Sequence, residues 1–240
     1  FGAGLERTSI ETDQTSPTRF LEYVRDFGGV PNGIGTATTN AFPLTAAWGR
    51  DSRDSAITPT AGRYQRANLE LDVFGDAKYY RAVYEHQYYK PLTNKITLAL
   101  KGELDYGHGL QGNKYPVFKN FYGGGIGSVR GFVSSSLGIV DPRTFDALGG
   151  AVRVIGNAEL QMPFPGGGPD RSLRWFGFLD AGQIYQEGQT IRANELRFST
   201  GLGISWISPV GPLKLSYAKP LNAKPTDRLE RFQFQMGTGF

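Results

Sequence analysis

Few residues in this 240-residue chain are equipped for chemistry. There are two histidines, His86 and His108, and no cysteine. His86 sits in a run of tyrosines and His108 lies between Gly107 and Gly109, and neither has a nucleophile or a metal-binding partner at recognisable spacing. Two acids, Glu159 and Asp180, could be read as a glycosidase pair, because two carboxylates flanking a bond suffice for glycoside hydrolysis. Arg130 stands in a glycine-rich run, Asn120-Phe121-Tyr122-Gly123-Gly124-Gly125-Ile126-Gly127-Ser128-Val129-Arg130-Gly131-Phe132. That run fails as a phosphate cradle, since it has neither dinucleotide-binding spacing nor the lysine of a P-loop. On composition alone Arg130 reads as a solvated loop residue. Catalysis and bound cofactors are not expected.

The elements that position these residues are strands. The last ten residues alternate. Phe232, Phe234, Met236 and Phe240 share one parity, and Gln233, Gln235, Gly237 and Gly239 the other. A strand turns alternate residues to opposite faces, so this segment has one apolar and one polar side. The same pattern recurs in Leu196–Trp206, Leu213–Tyr217, Ile96–Tyr106 and Ala67–Val73, and in each the charges keep to one parity. A charge facing lipid at mid-depth costs about 2–4 kcal/mol, so in a membrane barrel that parity must face the lumen.

About ten such strands are predicted: 1–12, 40–50, 63–74, 77–90, 95–107, 148–163, 172–186, 195–208, 211–220 and 231–240. Connections after even-numbered strands are mostly short. Two after odd-numbered strands, 13–39 and 108–147, are long, which is the pattern of outer-membrane barrels with short periplasmic turns and long external loops. The first long loop predicts a helix, capped by Ser16 and opened by Pro17. Its apolar stripe is Phe20, Leu21, Val24 and Phe27, and Gly28-Gly29 ends it.

Composition narrows the classes. Without cysteine there are no disulfides or thiolate metal sites. No run of about 18 apolar residues occurs, so no helix spans a membrane, a test that does not apply to strands. The net charge is +4 with no dense Lys/Arg cluster, so a nucleic-acid partner is not expected. The chain opens on Phe1 without a signal peptide and reads as part of something longer.

Five segments carry a family resemblance that covers nearly the whole chain. Val129-Arg130-Gly131-Phe132 resembles the sixth-extracellular-loop signature of BamA-type barrels, the outer-membrane assembly and two-partner-secretion superfamily. Asp51-Ser52-Arg53-Asp54 with Pro59-Thr60-Ala61-Gly62 resembles the turn before a central strand. Asn157-Ala158-Glu159-Leu160 and Phe178-Leu179-Asp180-Ala181-Gly182 resemble strands twelve and thirteen. Trp206–Leu213 with Ser216–Pro220 resembles the closing hairpins. The resemblance implies an all-β fold, an antiparallel transmembrane β-barrel. About ten strands of a family barrel of sixteen lie in residues 1–240, and a long extracellular loop is inserted in the lumen. The POTRA domains and first barrel strands are expected outside this chain.

The resemblance also implies that Arg130 meets Glu159 and Asp180 on the lumen wall, which makes the two carboxylates structural rather than catalytic. Phe232, Phe234, Met236, Gly237, Gly239 and Phe240 would form one half of a lateral seam and the C-terminal signal. The implied function is insertion and folding of β-barrel proteins in the bacterial outer membrane, without metal or cofactor. Its partners would be unfolded outer-membrane clients, the lipid bilayer and accessory lipoproteins bound through POTRA domains. The alternatives are a polypeptide exporter of the same superfamily and a passive outer-membrane channel.

Overall fold

In the computed structural model, residues 1–165, 172–209 and 211–237 are described. The strands are β1 (Gly2–Ala3), β2 (Glu6–Thr12), β3 (Gly35–Ala41), β4 (Leu44–Asp51), β5 (Gly62–Asp72), β6 (Tyr79–Pro91), β7 (Thr97–Gly109), β8 (Gly131–Phe132), β9 (Val152–Pro163), β10 (Leu173–Tyr185), β11 (Arg197–Ser208), β12 (Gly211–Pro220), β13 (Leu229–Glu230) and β14 (Phe232–Met236). Among the described residues there is one α-helix, α1 (Thr18–Gly28).

Ten strands form one sheet in the order β1-β4-β5-β6-β7-β9-β10-β11-β12-β14, with every neighbouring pair antiparallel. The sheet does not close: among the described residues, β1 and β14 each leave one edge unpaired. The alternation read from the sequence sorts its apolar and its buried charged residues onto two faces. Leu69, Leu104, Leu179, Leu202, Trp206 and Tyr217 are exposed on the outer face, while Asp105, Glu159, Asp180 and Ser216 are buried on the inner one. Register locks this arrangement, because a slip of one residue would turn every leucine inward and every carboxylate into lipid.

Two predicted strands are each broken in two. The segment 1–12 divides into β1 and β2 around Gly4-Leu5, and the segment 40–50 begins earlier, as β3, and breaks at Phe42-Pro43 before β4. Pro43 has no amide hydrogen to give a ladder, though its carbonyl accepts from Gly4 N at 3.0 Å. Beyond this corner β2 and β3 pair only with each other, as a ribbon that leaves the main sheet.

The helix α1 packs on that ribbon. Tyr23, Val24 and Ala37 are its buried centre, with Ile10, Phe27, Val30, Val117 and Phe118 around them. Its end is as predicted, with Gly29 in the left-handed region at φ 65°. Its start is not: Ser16 Oγ is engaged with Asp13 and Pro17 holds the N-cap position without a side-chain bond. The cap comes from Asp141, whose Oδ2 accepts from Thr18 N at 2.7 Å.

Of the predicted strand 231–240, the described part is β14. Among the described residues β14 pairs with Leu213–Tyr217, flanked by bonds from Ala218 N to Arg231 O at 2.7 Å and from Gly237 N to Pro212 O at 2.8 Å, and Gly237 has φ 99°, outside β geometry for any side-chain-bearing residue. The expectations for Gly239 and Phe240 lie outside the described residues.

Candidate functional site

The long loop between β7 and β9 turns into the concave side of the sheet and carries Arg130 to the wall. Neighbouring register pairs on β9 and β10, Glu159↔Phe178 and Asn157↔Asp180, set Glu159 and Asp180 on one inner face. Two carboxylates so placed repel unless a cation serves both. Arg130, only 2% exposed, does so. Its backbone amide and Nε donate to Asp180 Oδ2 at 3.0 and 2.7 Å, one terminal nitrogen to Asp180 Oδ1 at 2.6 Å, and the other to Glu159 Oε1 at 2.5 Å. The planar guanidinium fork matches this two-sided demand, as an ammonium could not.

Four further residues complete the cluster, and the sequence reading did not assign them to it. Lys214 Nζ of β12 lies 3.0 Å from Glu159 Oε1, so two cations balance two carboxylates. Asn157 Nδ2 donates to Asp180 Oδ1 at 2.8 Å and to Ser128 O at 2.6 Å, tying wall to loop. Phe178 and Phe176 form a floor: the Arg130 guanidinium lies 3.6 Å from the Phe178 ring centroid, and Lys214 Nζ lies 4.7 Å from that of Phe176. These rings lie over Gly201 and Gly203, their register partners on β11. A Cβ on Gly201 would come within 2.7 Å of Phe178 Cζ, and one on Gly203 would collide with Phe176. The signal for the floor was present in the sequence, as inward aromatics opposite a Gly-x-Gly pair.

The rest of the motif seats the loop. Val129 and Phe132 are fully buried in a cluster with Leu137, Ile155 and Ile184. Gly131 has φ 89°, and a Cβ there would press within 3.1 Å of Ala218 and Pro220. Gly131 and Phe132 form β8, which pairs with β13 just before the last strand. Gln233 of β14 reaches the same spot: its Oε1 accepts from Gly131 N at 3.3 Å and its Nε2 donates to Phe132 O at 2.8 Å. The inner face of the last strand is thus strapped to the loop. Its outer face is bare, with Phe232, Phe234 and Met236 all more than half exposed.

The turn Ser52–Ala61 supplies the floor of the lumen at the short-turn end. Arg53 pairs with Asp51 at 2.7 Å and donates to Gln87 Oε1 at 3.2 Å. Together with Ile57, Thr58 and Pro59 it bounds a cavity of about 160 Å³ that reaches Arg130, Glu159 and Lys214. Both histidines lie on the outer parity of their strands, away from this cluster. Among the described residues no group of three His, Cys, Asp or Glu side chains could hold a metal ion.

The arrangement holds the loop against the wall, with the Arg130 charge satisfied inside the protein. Comparison with known proteins agrees with this architecture. The family model for the Omp85 superfamily domain matches residues 1–240. The chain belongs to the Omp85 superfamily. Similar curated members include the outer membrane protein assembly factor BamA of Neisseria meningitidis serogroup B, 36% identical over 272 residues and covering all of this chain and 34% of that protein. BamA of Nitratidesulfovibrio vulgaris is 33% identical over 80% of the chain and 24% of its own length. The mouse sorting and assembly machinery component 50 homolog is 31% identical over 79% of the chain and 44% of its length. The crystal structure of BamA from Haemophilus ducreyi lacking POTRA domains 1–3 superposes with a TM-score of 0.86 at 26% identity, over 97% of this chain and 49% of that one. This Omp85 domain thus spans about a quarter to a third of the two bacterial relatives.

Proposed function

We propose that this Omp85 chain is the C-terminal part of a bacterial outer-membrane barrel that inserts and folds other β-barrel proteins, working through a lateral seam at β14. Similarity to proteins named as outer-membrane and sorting assembly factors supports the activity and the compartment. Unfolded outer-membrane proteins are the proposed clients, and accessory lipoproteins the proposed partners of the longer protein.

The observation that carries this reading is the contrast at the sheet edge. Among the described residues β14 has one edge free and five register pairs with β12, where β9 and β10 have twelve. Every unpaired backbone group in hydrocarbon is costly, so an incoming strand gains by adding to a free edge. Each hydrogen bond exchanged is worth only about 0.5–1.5 kcal/mol net, so a short ladder opens and closes without a nucleotide fuel. Among the described residues the outward Phe232, Phe234 and Met236 form a narrow apolar band beside that edge, which favours local thinning of the bilayer. The Arg130 cluster has a supporting role, holding the loop against the wall and so the wall in shape. A lumen filled by that loop argues against a passive channel.

A disulfide between Q235C and a cysteine introduced on the strand facing it in the full-length protein tests the seam. Client insertion into liposomes should fall to background when the bond is formed and return on reduction. Insertion at the unlocked rate with the bond intact would refute the reading.

A further inference from the structure

The outer face of β4 to β7 breaks the rule that outward residues are apolar. Register reads this face as rungs. One rung carries Ala46, Leu69, Ala82 and Tyr106, and the next Trp48, Ala67, Tyr84 and Leu104. Alanines set between large side chains leave an apolar groove of about 810 Å³ on the lipid side. The third rung, toward the short-turn end, is polar: Arg50, Gln65 and His86, followed by Gly102 and Gly156.

Gln65 Nε2 donates to Tyr84 Oη at 3.0 Å, and His86 Nδ1 lies 3.4 Å from the same hydroxyl. No atom stands within 4 Å of where a Cβ on Gly102 or Gly156 would be, so a ligand can approach His86 from the side. Still nearer the short-turn end, Arg63 and Lys90 share the outer parity. Arg50, Arg63 and Lys90 are exposed and form no ion pair among the described residues.

Outward cations are penalised in hydrocarbon and tolerated at the interface, where they attract anionic headgroups. A greasy groove running down to a row of unpaired cations has the shape and polarity of one amphiphile. We propose that this face binds a glycerophospholipid of the periplasmic leaflet. An acyl chain lies along the alanine groove, and the phosphate is held by Arg50 and Arg63, with Gln65 and His86 bounding the headgroup. The assignment of leaflet rests on the short turns being periplasmic, and the site itself is independent of the insertase reading.

Native mass spectrometry of the full-length protein in detergent, titrated with phosphatidylglycerol, tests the site. The wild type should retain one lipid. R50A/R63A should weaken retention about tenfold or more, and A67W, which fills the groove and keeps every cation, should do so as well. R50K/R63K and K219A, an outward lysine on β12, should bind as the wild type does, with all variants shown folded by heat-modifiable migration. Unchanged retention in R50A/R63A or in A67W overturns the proposal. So does displacement of the lipid by millimolar inorganic phosphate alone, which would mark the cations as a simple anion site.

Discussion

One loop is held at two places by different means. Against the wall, Arg130 makes four charge-assisted bonds to two carboxylates, over an aromatic floor and out of water. Against the last strand, the same loop is held by the two-residue β8–β13 ladder and the neutral side chain of Gln233. Charged, buried contacts cost more to break than neutral ones, so the wall grip is expected to outlast the strap when β14 moves. In the proposed seam cycle β14 can peel away while the loop stays seated.

Breaking the wall grip should have the largest effect. R130A leaves Asp180 and Glu159 buried without their shared cation, and losing one partner of a buried pair typically costs about 3–5 kcal/mol. A fall of that size in urea-unfolding stability in micelles is expected. R130K should recover only part of it, because an ammonium loses the fork and the stack on Phe178. A loss below about 1 kcal/mol for R130A would erase the contrast between the two grips.

The strap should respond more weakly. Q233L removes one acceptor and one donor from β14 and leaves Gly131 N and Phe132 O to find other partners, at about 1–3 kcal/mol. Amide exchange at Gly131–Val133 should quicken while exchange across β9 and β10 stays unchanged. Equal acceleration at both places would show that the loop is one cooperative unit.

How much of this could be read in the sequence follows from range. Inward and outward rows were legible because a strand's period of two is local. The breaks before Leu5 and at Pro43 were missed because alternation continues through them, although Pro43 was the available warning. The Arg130 contacts came from family resemblance, since composition alone reads that arginine as solvated. Lys214 could be placed on the inner face from its parity, but its meeting with Glu159 depends on the registers of the three ladders between β12 and β9. The cap of α1 was assigned to Ser16 by proximity, whereas Asp141 supplies it from 123 residues along the chain.

That cap gives the smallest predicted effect and a third grip for comparison, at the outer rim. Asp141 accepts from Thr18 N at 2.7 Å and from Arg143 N and Thr144 N at 2.9 and 3.1 Å. Arg143 reaches back to the carbonyls of Gln14 and Ser16. Burial pushes the Asp141 carboxyl up, but the amides of Arg143, Thr18 and Thr144 outweigh it and leave the group lowered to about 2. A folded-state value below the unfolded one, near 4, means the unfolded form binds more protons between them, so stability rises with pH across that window. The contribution is complete above about pH 4 and is lost as pH falls through 2. Exchange at the Phe20 and Leu21 amides, corrected for the intrinsic rate, should therefore quicken as pH falls from about 4 to 2. D141A should show the quickened rate throughout, at a cost of about 0.5–2 kcal/mol. At neutral pH, D141A should leave exchange at Val129 and Arg130 unchanged, because their grip is on Asp180 and Glu159; if that exchange rose in step with exchange at α1, the rim and the wall would share one opening.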